Sequence, residues 1–381
     1  MSKSQSPLVQ SVVRGLSKQI DEGILGEGKR LPSERELGVQ FHVSRAIIRN
    51  AIQILEDQGL IVCRVNCRPV VAHRKRSRQE LAAPSYRYLG IWMWPNPADF
   101  GAQLMVKGIQ RAVKDPDLRI VISNAVGEDW MHREESEGHF LRRMANDPHA
   151  VGAIVYLIGG ENNLDALRAL READIPLVFV DRLPPSHFEA DYVGTDNVGA
   201  MRQAVKHLID FGHRRIAFVT NDDGASSVAE RIEGYRQALD SAGIPFDPAN
   251  IVYFHVDVFD MDGESSLPLI DRLEAMPDRP TAVVCVNDVI GFSFIQAARR
   301  RGYRIPEDMS VVGFDGLSRF IPGGGGLTSP TQSFERIGEQ AAELVLQRIK
   351  QGTPQSYRHI ILDAPLVDWG STGRASISPK R

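Results

Sequence analysis

LPSERELGVQFHVSRAIIRNAIQILEDQGLI, residues 31–61, reads as two helices and the turn between them. Ser33 and Glu36 stand three apart ahead of an apolar run, the spacing of a capping box. There the serine hydroxyl bonds the third helical N–H and the carboxylate reaches back to the cap. His42-Val43 makes the turn, and Ser44 caps a helix running to about Gln58, with Gly59 past its end. Ile48, Ala51, Ile52 and Leu55 recur at spacings of three and four and form its buried stripe, while Arg45 and Arg49 share the opposite face.

Working outward, Leu8, Val12, Leu16 and Ile20 predict one apolar stripe on an earlier helix, closed by Gly23. Downstream, two β-prone runs, Leu60–Arg64 and Pro69–Ala72, flank a tip at Asn66. Three helices and a β-ribbon predict a small α+β winged-helix head over residues 1–72. The second helix of its turn fits a DNA major groove, where arginines at the helix start reach guanine edges or phosphates. The plainer alternative is a helical interaction domain with surface arginines.

Charge is divided along the chain. Residues 1–80 carry a net +6 and the remainder a net −9, within a whole-chain net charge of −3. A basic head on an acidic body points to a polyanion that meets the head alone, or to a merely solvated basic segment. HRKRSRQELAAPSYR, residues 73–87, is strongly basic at its start and interrupted by Pro84. It reads as a solvated linker whose Arg74, Lys75, Arg76 and Arg78 can also touch phosphates.

The stretch 31–61 resembles the gluconate-repressor (GntR) family in order, spacing and residue type. That resemblance implies DNA contacts by Arg35, Ser44, Arg45 and Arg49. It puts Ala46 and Ile47 where many members carry threonine, so a methyl contact to thymine is the physical alternative there. Asn66 and Arg68 stand where the family's wing usually has glycines. Charge from Arg64 and Arg68 would replace the close backbone approach that glycine allows.

From residue 88 to 381, short apolar strands alternate with amphipathic helices. Expected strands are Leu89–Met93, Ile120–Ser123, Ala153–Tyr156 and Leu177–Val180. After a break near Val193–Asp196 come Ile216–Thr220, Ile251–Phe254, Ala282–Val286 and Ser310–Phe314. Helices such as Asn197–Phe211 and Ser226–Ala242 lie between them. The rhythm predicts an α/β body of two doubly wound parallel-sheet lobes. Ligands of such sheets bind beyond the carboxyl ends of the strands. There the sequence places Asp181, Asn221, Asn287, Asp288 and Asp315, each of which could instead cap a loop.

VFVDR (178–182), DYVGTDNVGA (191–200), HLIDFGHRRIAFVT (207–220), SSVAERIEGYRQAL (226–239), VNDVIGF (286–292), VVGFDG (311–316) and GSTGRAS (370–376) carry a second resemblance. In order and combination they are similar to the lactose/galactose-repressor (LacI/GalR) effector domain, which is periplasmic-binding-protein-like. The resemblance implies a ligand between the lobes, contacted by Asp181, Arg231, Asn287 and Asp315, with Phe259 stacking on it. Trp94 and Phe100 could cover its other side or simply pack their loop, and Arg231 could instead pair with Glu230 or Glu233 on the helix surface. A gluconate-type head on such a body resembles arabinose-repressor-type regulators.

The expected function is therefore a transcriptional repressor that binds double-stranded operator DNA as a homodimer, under control of a small carbohydrate effector. Other classes fit less well. An enzyme, such as the aminotransferase bodies some GntR-type heads carry, would need a cofactor lysine motif. The sequence shows no Gly-rich phosphate loop, Ser-His-Asp order or metal-ligand set, so no cofactor and no metal are expected. A sugar carrier would need export, and neither a signal peptide nor an apolar membrane run is present, which predicts a cytoplasmic protein. Cys63, Cys67 and Cys285 read as unpaired thiols of a reducing compartment. His207 and His213, in the helix-and-turn motif, read as structural.

Overall fold

The computed structural model describes residues 7–21, 25–26, 28–57, 60–62, 68–71, 86–93, 100–123, 132–221, 224–255, 262–317, 326–352 and 356–375. Arg64, Asn66, Trp94, Phe259, Cys63, Cys67 and all of the linker but its last two residues lie outside them. The chain divides into two units, residues 1–83 and 84–381.

In the first unit, α1 (Pro7–Asp21) begins on a proline, whose fixed φ suits a helix start. Its buried stripe is Val9, Val12 and Leu16, while Leu8 is 54% exposed. The expected stripe thus holds at Val12 and Leu16 but enters through Val9. A residue seven before Leu16 lies closer to the same face than one eight before it. In α2 (Glu34–Gln40) the capping box forms: Glu36 N–H donates to Ser33 Oγ at 3.3 Å, and Ser33 N–H to Glu36 Oε2 at 2.7 Å. His42, at φ 54°, turns the chain into α3 (Arg45–Asp57), where the amides of Ile47 and Ile48 bond the Ser44 carbonyl. β1 (Ile61–Val62) pairs antiparallel with β2 (Val70–Val71). Leu31, Leu37, Ile48, Ala51, Leu55, Ile61 and Val71 close the core with the α1 stripe, so every element contributes to it.

The second unit begins with β3 (Arg87–Trp92), α4 (Phe100–Ala112), β4 (Leu118–Ser123), α5 (Arg133–Asn146), β5 (Ala150–Val155), α6 (Leu164–Glu172), β6 (Leu177–Val180) and β7 (Asp191–Thr195). The chain then builds α7 (Asn197–Asp210), β8 (Ile216–Thr220), α8 (Ser226–Ser241), β9 (Ile251–Tyr253), α9 (Leu267–Glu274), β10 (Ala282–Cys285), α10 (Asp288–Arg300) and β11 (Ser310–Val312). β12 (Ser329–Pro330), α11 (Phe334–Gln351), β13 (His359–Leu362) and β14 (Leu366–Val367) complete it.

Among the described residues the first lobe is a parallel sheet in the order β13-β7-β6-β5-β3-β4, and the second a parallel sheet in the order β11-β10-β8-β9. The strands are nearly all apolar (β6, LVFV, and β10, AVVC, are buried throughout), as sheets covered on both faces require. The sequence reading missed two things in the first lobe: β7 is a strand of the sheet where a break between the lobes was expected, and α11 and β13, from the end of the chain, return to this lobe. Arg348 on α11 makes a buried, two-bond ion pair with Asp191 on β7, at 2.8 and 2.9 Å. On the same face α4 and α11 cross glycine to glycine. A Cβ on Gly108 would stand 1.9 Å from the Glu335 carbonyl oxygen, and one on Gly338 1.9 Å from that of Met105.

The chain crosses between the lobes at residues 195–197, 330–333 and 362–366, and the three passes are bonded to one another. Asp196 N–H donates to the Leu362 carbonyl at 2.9 Å and Thr331 N–H to the Pro365 carbonyl at 2.9 Å, while the Thr195 hydroxyl donates to Gln332 Oε1.

His213 is fully enclosed, with Nδ1 2.9 Å from Thr281 Oγ1 and Nε2 2.9 Å from Ser310 Oγ and 3.0 Å from the Gly373 carbonyl. Burial, the largest influence, lowers its pKa. The ring stays neutral in the fold to a lower pH than in the unfolded chain, which takes up its proton below about pH 6.5. Its contribution to stability is therefore complete above that pH and is lost as pH falls toward the lowered folded value. Denaturant titrations should show this acid sensitivity in the wild type and not in His213→Ala. That variant should lose about 1–3 kcal/mol at neutral pH, because buried hydroxyls lose their partner.

Candidate effector site and DNA-reading face

The candidate effector site forms where strand tips of the second lobe meet the crossovers. Arg231, on the first turns of α8, is 6% exposed. Its Nε donates to Asn197 Oδ1 at 2.9 Å and its Nη1 to the Val286 carbonyl at 2.7 Å. Its Nη2 lies 3.4 Å from Asp315 Oδ1, and its Cζ sits 3.8 Å over the Phe314 ring. Asp315 also accepts from Gln332 Nε2 at 2.7 Å. A guanidinium carries five N–H donors, so among the described residues these contacts leave donors on Nη1 and Nη2 for an incoming hydroxyl or ring oxygen.

Surface pairing of Arg231 with Glu230 or Glu233 is not what occurs. Glu233 bonds Arg236 and Gln237, and this hydrogen bonding takes its pKa down to about 2. Glu230 accepts from Asn197 Nδ2 at 2.9 Å. Burial above all, and then the nearby Asp181 charge, raise its pKa, against the opposing pull of the Asn197 bond and of Arg231.

Asp181 and Asp315 are buried or nearly so at their strand ends, at φ 63° and 109°. Non-glycine residues hold such angles only where their surroundings fix them, and such positions concentrate at functional sites. Asp181 lies in the first lobe, where its carbonyl accepts from Tyr192 Oη at 3.2 Å. Nearby, Leu183 N–H donates to Ser226 Oγ of the second lobe at 2.8 Å, so the lobes also touch away from the crossovers.

Other candidates differ. Asn287 caps α10, its Oδ1 accepting from Ile290 N–H at 2.9 Å. Asp288 is turned inward, where it accepts from Leu317 N–H and Ser329 Oγ. Phe100 packs partly buried against the first-lobe core. The sequence reading missed Asn197 and Gln332, which orient Arg231 and Asp315. Neither carries a local signal beyond standing on a crossover.

On the first unit, Arg35, Ser44, Arg45, Ala46, Arg49 and Arg68 are exposed, whereas Ile47 packs partly against the core. Arg49 Nε lies 2.9 and 3.0 Å from the Glu34 carboxylate oxygens, so α2 orients that guanidinium.

Residues 8–67 match the family of bacterial regulatory proteins of gntR type, and residues 205–372 match the periplasmic binding protein-like domain. The "HTH-type transcriptional regulator CelR" of Thermobifida fusca is 30% identical over 264 residues, 69% of this chain and 73% of that protein. The "Ribose operon repressor" of Haemophilus influenzae is 37% identical over 317 residues, 83% of this chain and 88% of that protein. The chain belongs to the LacI/GalR-type transcriptional regulators. The LacI/GalR-type regulator carries its gntR-type match at the head, over residues 8–67. Its fold matches that of a LacI family transcriptional regulator from Enterococcus faecium with bound ribose, at TM-score 0.62 and 23% identity over 75% of this chain and 99% of that one. It also matches a CelR–cellobiose complex, at TM-score 0.63 and 24% identity over 90% and 100%. The LacI/GalR-type regulator is thus a DNA-binding transcriptional regulator and not an enzyme.

Proposed function

We propose that the protein is a cytoplasmic, homodimeric repressor whose affinity for operator DNA is set by a small carbohydrate held between its two lobes. The division into a head (1–72), a linker (73–87) and an effector body (88–381) belongs to the same reading. The observation that carries it is the buried Arg231–Asp315 pair at the strand tips, held by Asn197 and Gln332 from two crossovers. A guanidinium donates and a carboxylate accepts, the combination that grips neighbouring hydroxyls of a sugar. Asp181, Trp94, Phe100, Phe259 and Asn287 complete the proposed set. Since the crossovers join both lobes, a ligand that favours one lobe arrangement biases the hinge. Coupling of about 1–3 kcal/mol would change operator affinity about 5–150-fold. Relatives of this chain include a cellobiose complex and a ribose complex, which supports the carbohydrate class. A thermal-shift screen of mono- and disaccharides, followed by gel shifts with each hit, tests the reading. A hit that moves the melting temperature yet leaves operator affinity unchanged would refute it.

Arg35, Ser44, Arg45, Ala46, Ile47, Arg49, Asn66 and Arg68 form the proposed DNA-reading face. Arg45→Ala should weaken operator binding by about 1–3 kcal/mol if it makes a bidentate base contact. Arg49→Ala should weaken it too, with a shallower salt dependence if the contact is to phosphate. Fluorescence anisotropy at several salt concentrations measures both. Wild-type affinity in both folded variants would remove α3 from the DNA interface.

A further inference from the structure

A hollow of about 560 Å³ opens at the carboxyl ends of β3 and β4, beside α5, and shares no residue with the proposed effector site. Trp92 and Ser123, which are register partners on adjacent parallel strands, leave the sheet on the same face and border it. From the helix come His132, Glu135, Ser136, His139, Phe140 and Arg143. Their spacing of three and four puts them on one stripe. A separate stripe, containing Glu137, Leu141 and Met144, buries α5 against the sheet. The helix therefore spends a second face on polar groups directed at one concavity. Trp92 is 1% exposed, yet its indole N–H has no hydrogen-bond partner among the described residues, an uncommon state for a buried donor.

We propose that this hollow is a second small-molecule site, taking a polyol that carries a phosphate or carboxylate group. Donor-bearing side chains dominate its lining: the Arg143 guanidinium, the two imidazoles and two serine hydroxyls, with Trp92 beside them. Arginine matches phosphate and carboxylate geometry with two parallel bonds. Glu135 supplies an acceptor for a ligand hydroxyl, and the Phe140 ring, 5.5 Å from that of Trp92, an apolar wall. The volume suits a small metabolite. Ligands of open α/β sheets also gather at this end of the strands.

Calorimetry on the full chain with sorbitol 6-phosphate, inorganic phosphate and, as neutral control, sorbitol tests the assignment. Sorbitol 6-phosphate should bind saturably and sorbitol should not, with phosphate weaker than the ester. His132, Glu135, His139 and Arg143 are exposed, so Arg143→Met and His139→Leu should keep the wild-type melting temperature. Each should lose about tenfold or more in affinity, because a hydrogen bond to a charged group is removed; Arg143→Lys should recover part of it. Trp92→Phe should weaken binding without abolishing it. Unchanged affinity in Arg143→Met, or no saturable binding of either anion at millimolar concentration, overturns the assignment.

Discussion

Arg231→Ala is expected to leave operator binding in place and to abolish the response to effector. The side chain is buried, and its removal takes the donor from the Asn197 amide oxygen and the Val286 carbonyl and the countercharge from the Asp315 carboxylate. Breaking a buried pair from one side costs about 3–5 kcal/mol of stability. Effector affinity should fall by about a hundredfold, the order expected for losing hydrogen bonds from a charged donor. Asp315→Asn provides the gentler counterpart. It keeps the Oδ1 acceptor used by Gln332 and removes the charge that faces Arg231. Calorimetry with the sugar found by screening, with gel shifts on the same preparations, reads both. Unchanged sugar affinity in the two variants would make these residues scaffold and move the site elsewhere.

The other large effect is expected where no ligand is involved. Alanine at Gly338 adds only a methyl, but that methyl would fall 1.9 Å from the Met105 carbonyl oxygen and 2.9 Å from the Met105 Cα. The obstruction is backbone, so α4 and α11 must separate, and the first-lobe core under both helices opens with them. The better helix propensity of alanine returns about 1 kcal/mol. Overpacking against rigid main chain should outweigh it, for a net loss of about 3 kcal/mol. That corresponds to a melting temperature lower by roughly 5 °C for a unit of about 300 residues. Gly108→Ala should behave alike, and the two together should cost less than their sum, because one separation of the helices accommodates both. Unfolding transitions within a degree of wild type would show that the helix pair can slide.

Local physics was readable in the sequence where local physics decides. The capping box at Ser33 and Glu36 formed as its spacing requires. The strands Leu177–Val180 and Ile216–Thr220 have the bounds that their apolar runs suggest. At Leu8 against Val9, one residue of helical phase decided burial, finer than a stripe of four positions resolves. Arg231 and Asp315 could be named at strand and helix ends, but their direct pairing depends on segments 84 residues apart meeting at the crossovers. Asn287 carries the same ambiguity in any sequence. An amide at a strand end before a helix can border a cleft, cap the helix or do both, and here its oxygen caps α10. The return of α11 and β13 to the first lobe has no local signature at all. An amphipathic helix shows which face it buries, not which sheet receives it.

That return has a bearing on biosynthesis. During vectorial synthesis the first lobe leaves the ribosome as β3 to β7, but α11 and β13 follow only after nearly the whole second lobe has been made. Until then the β7 edge lacks its neighbour, the apolar face that α11 covers stays uncovered, and Asp191 waits in a sheet without the Arg348 that will neutralise it. Nascent chains of this protein therefore carry exposed sheet surface for most of translation, the condition under which chaperones are recruited and aggregation competes. By the same logic a stop codon near the end of the message does not spare the first lobe. Loss of the residues after 333 removes its central helix and an edge strand while leaving most of the second lobe's sheet intact.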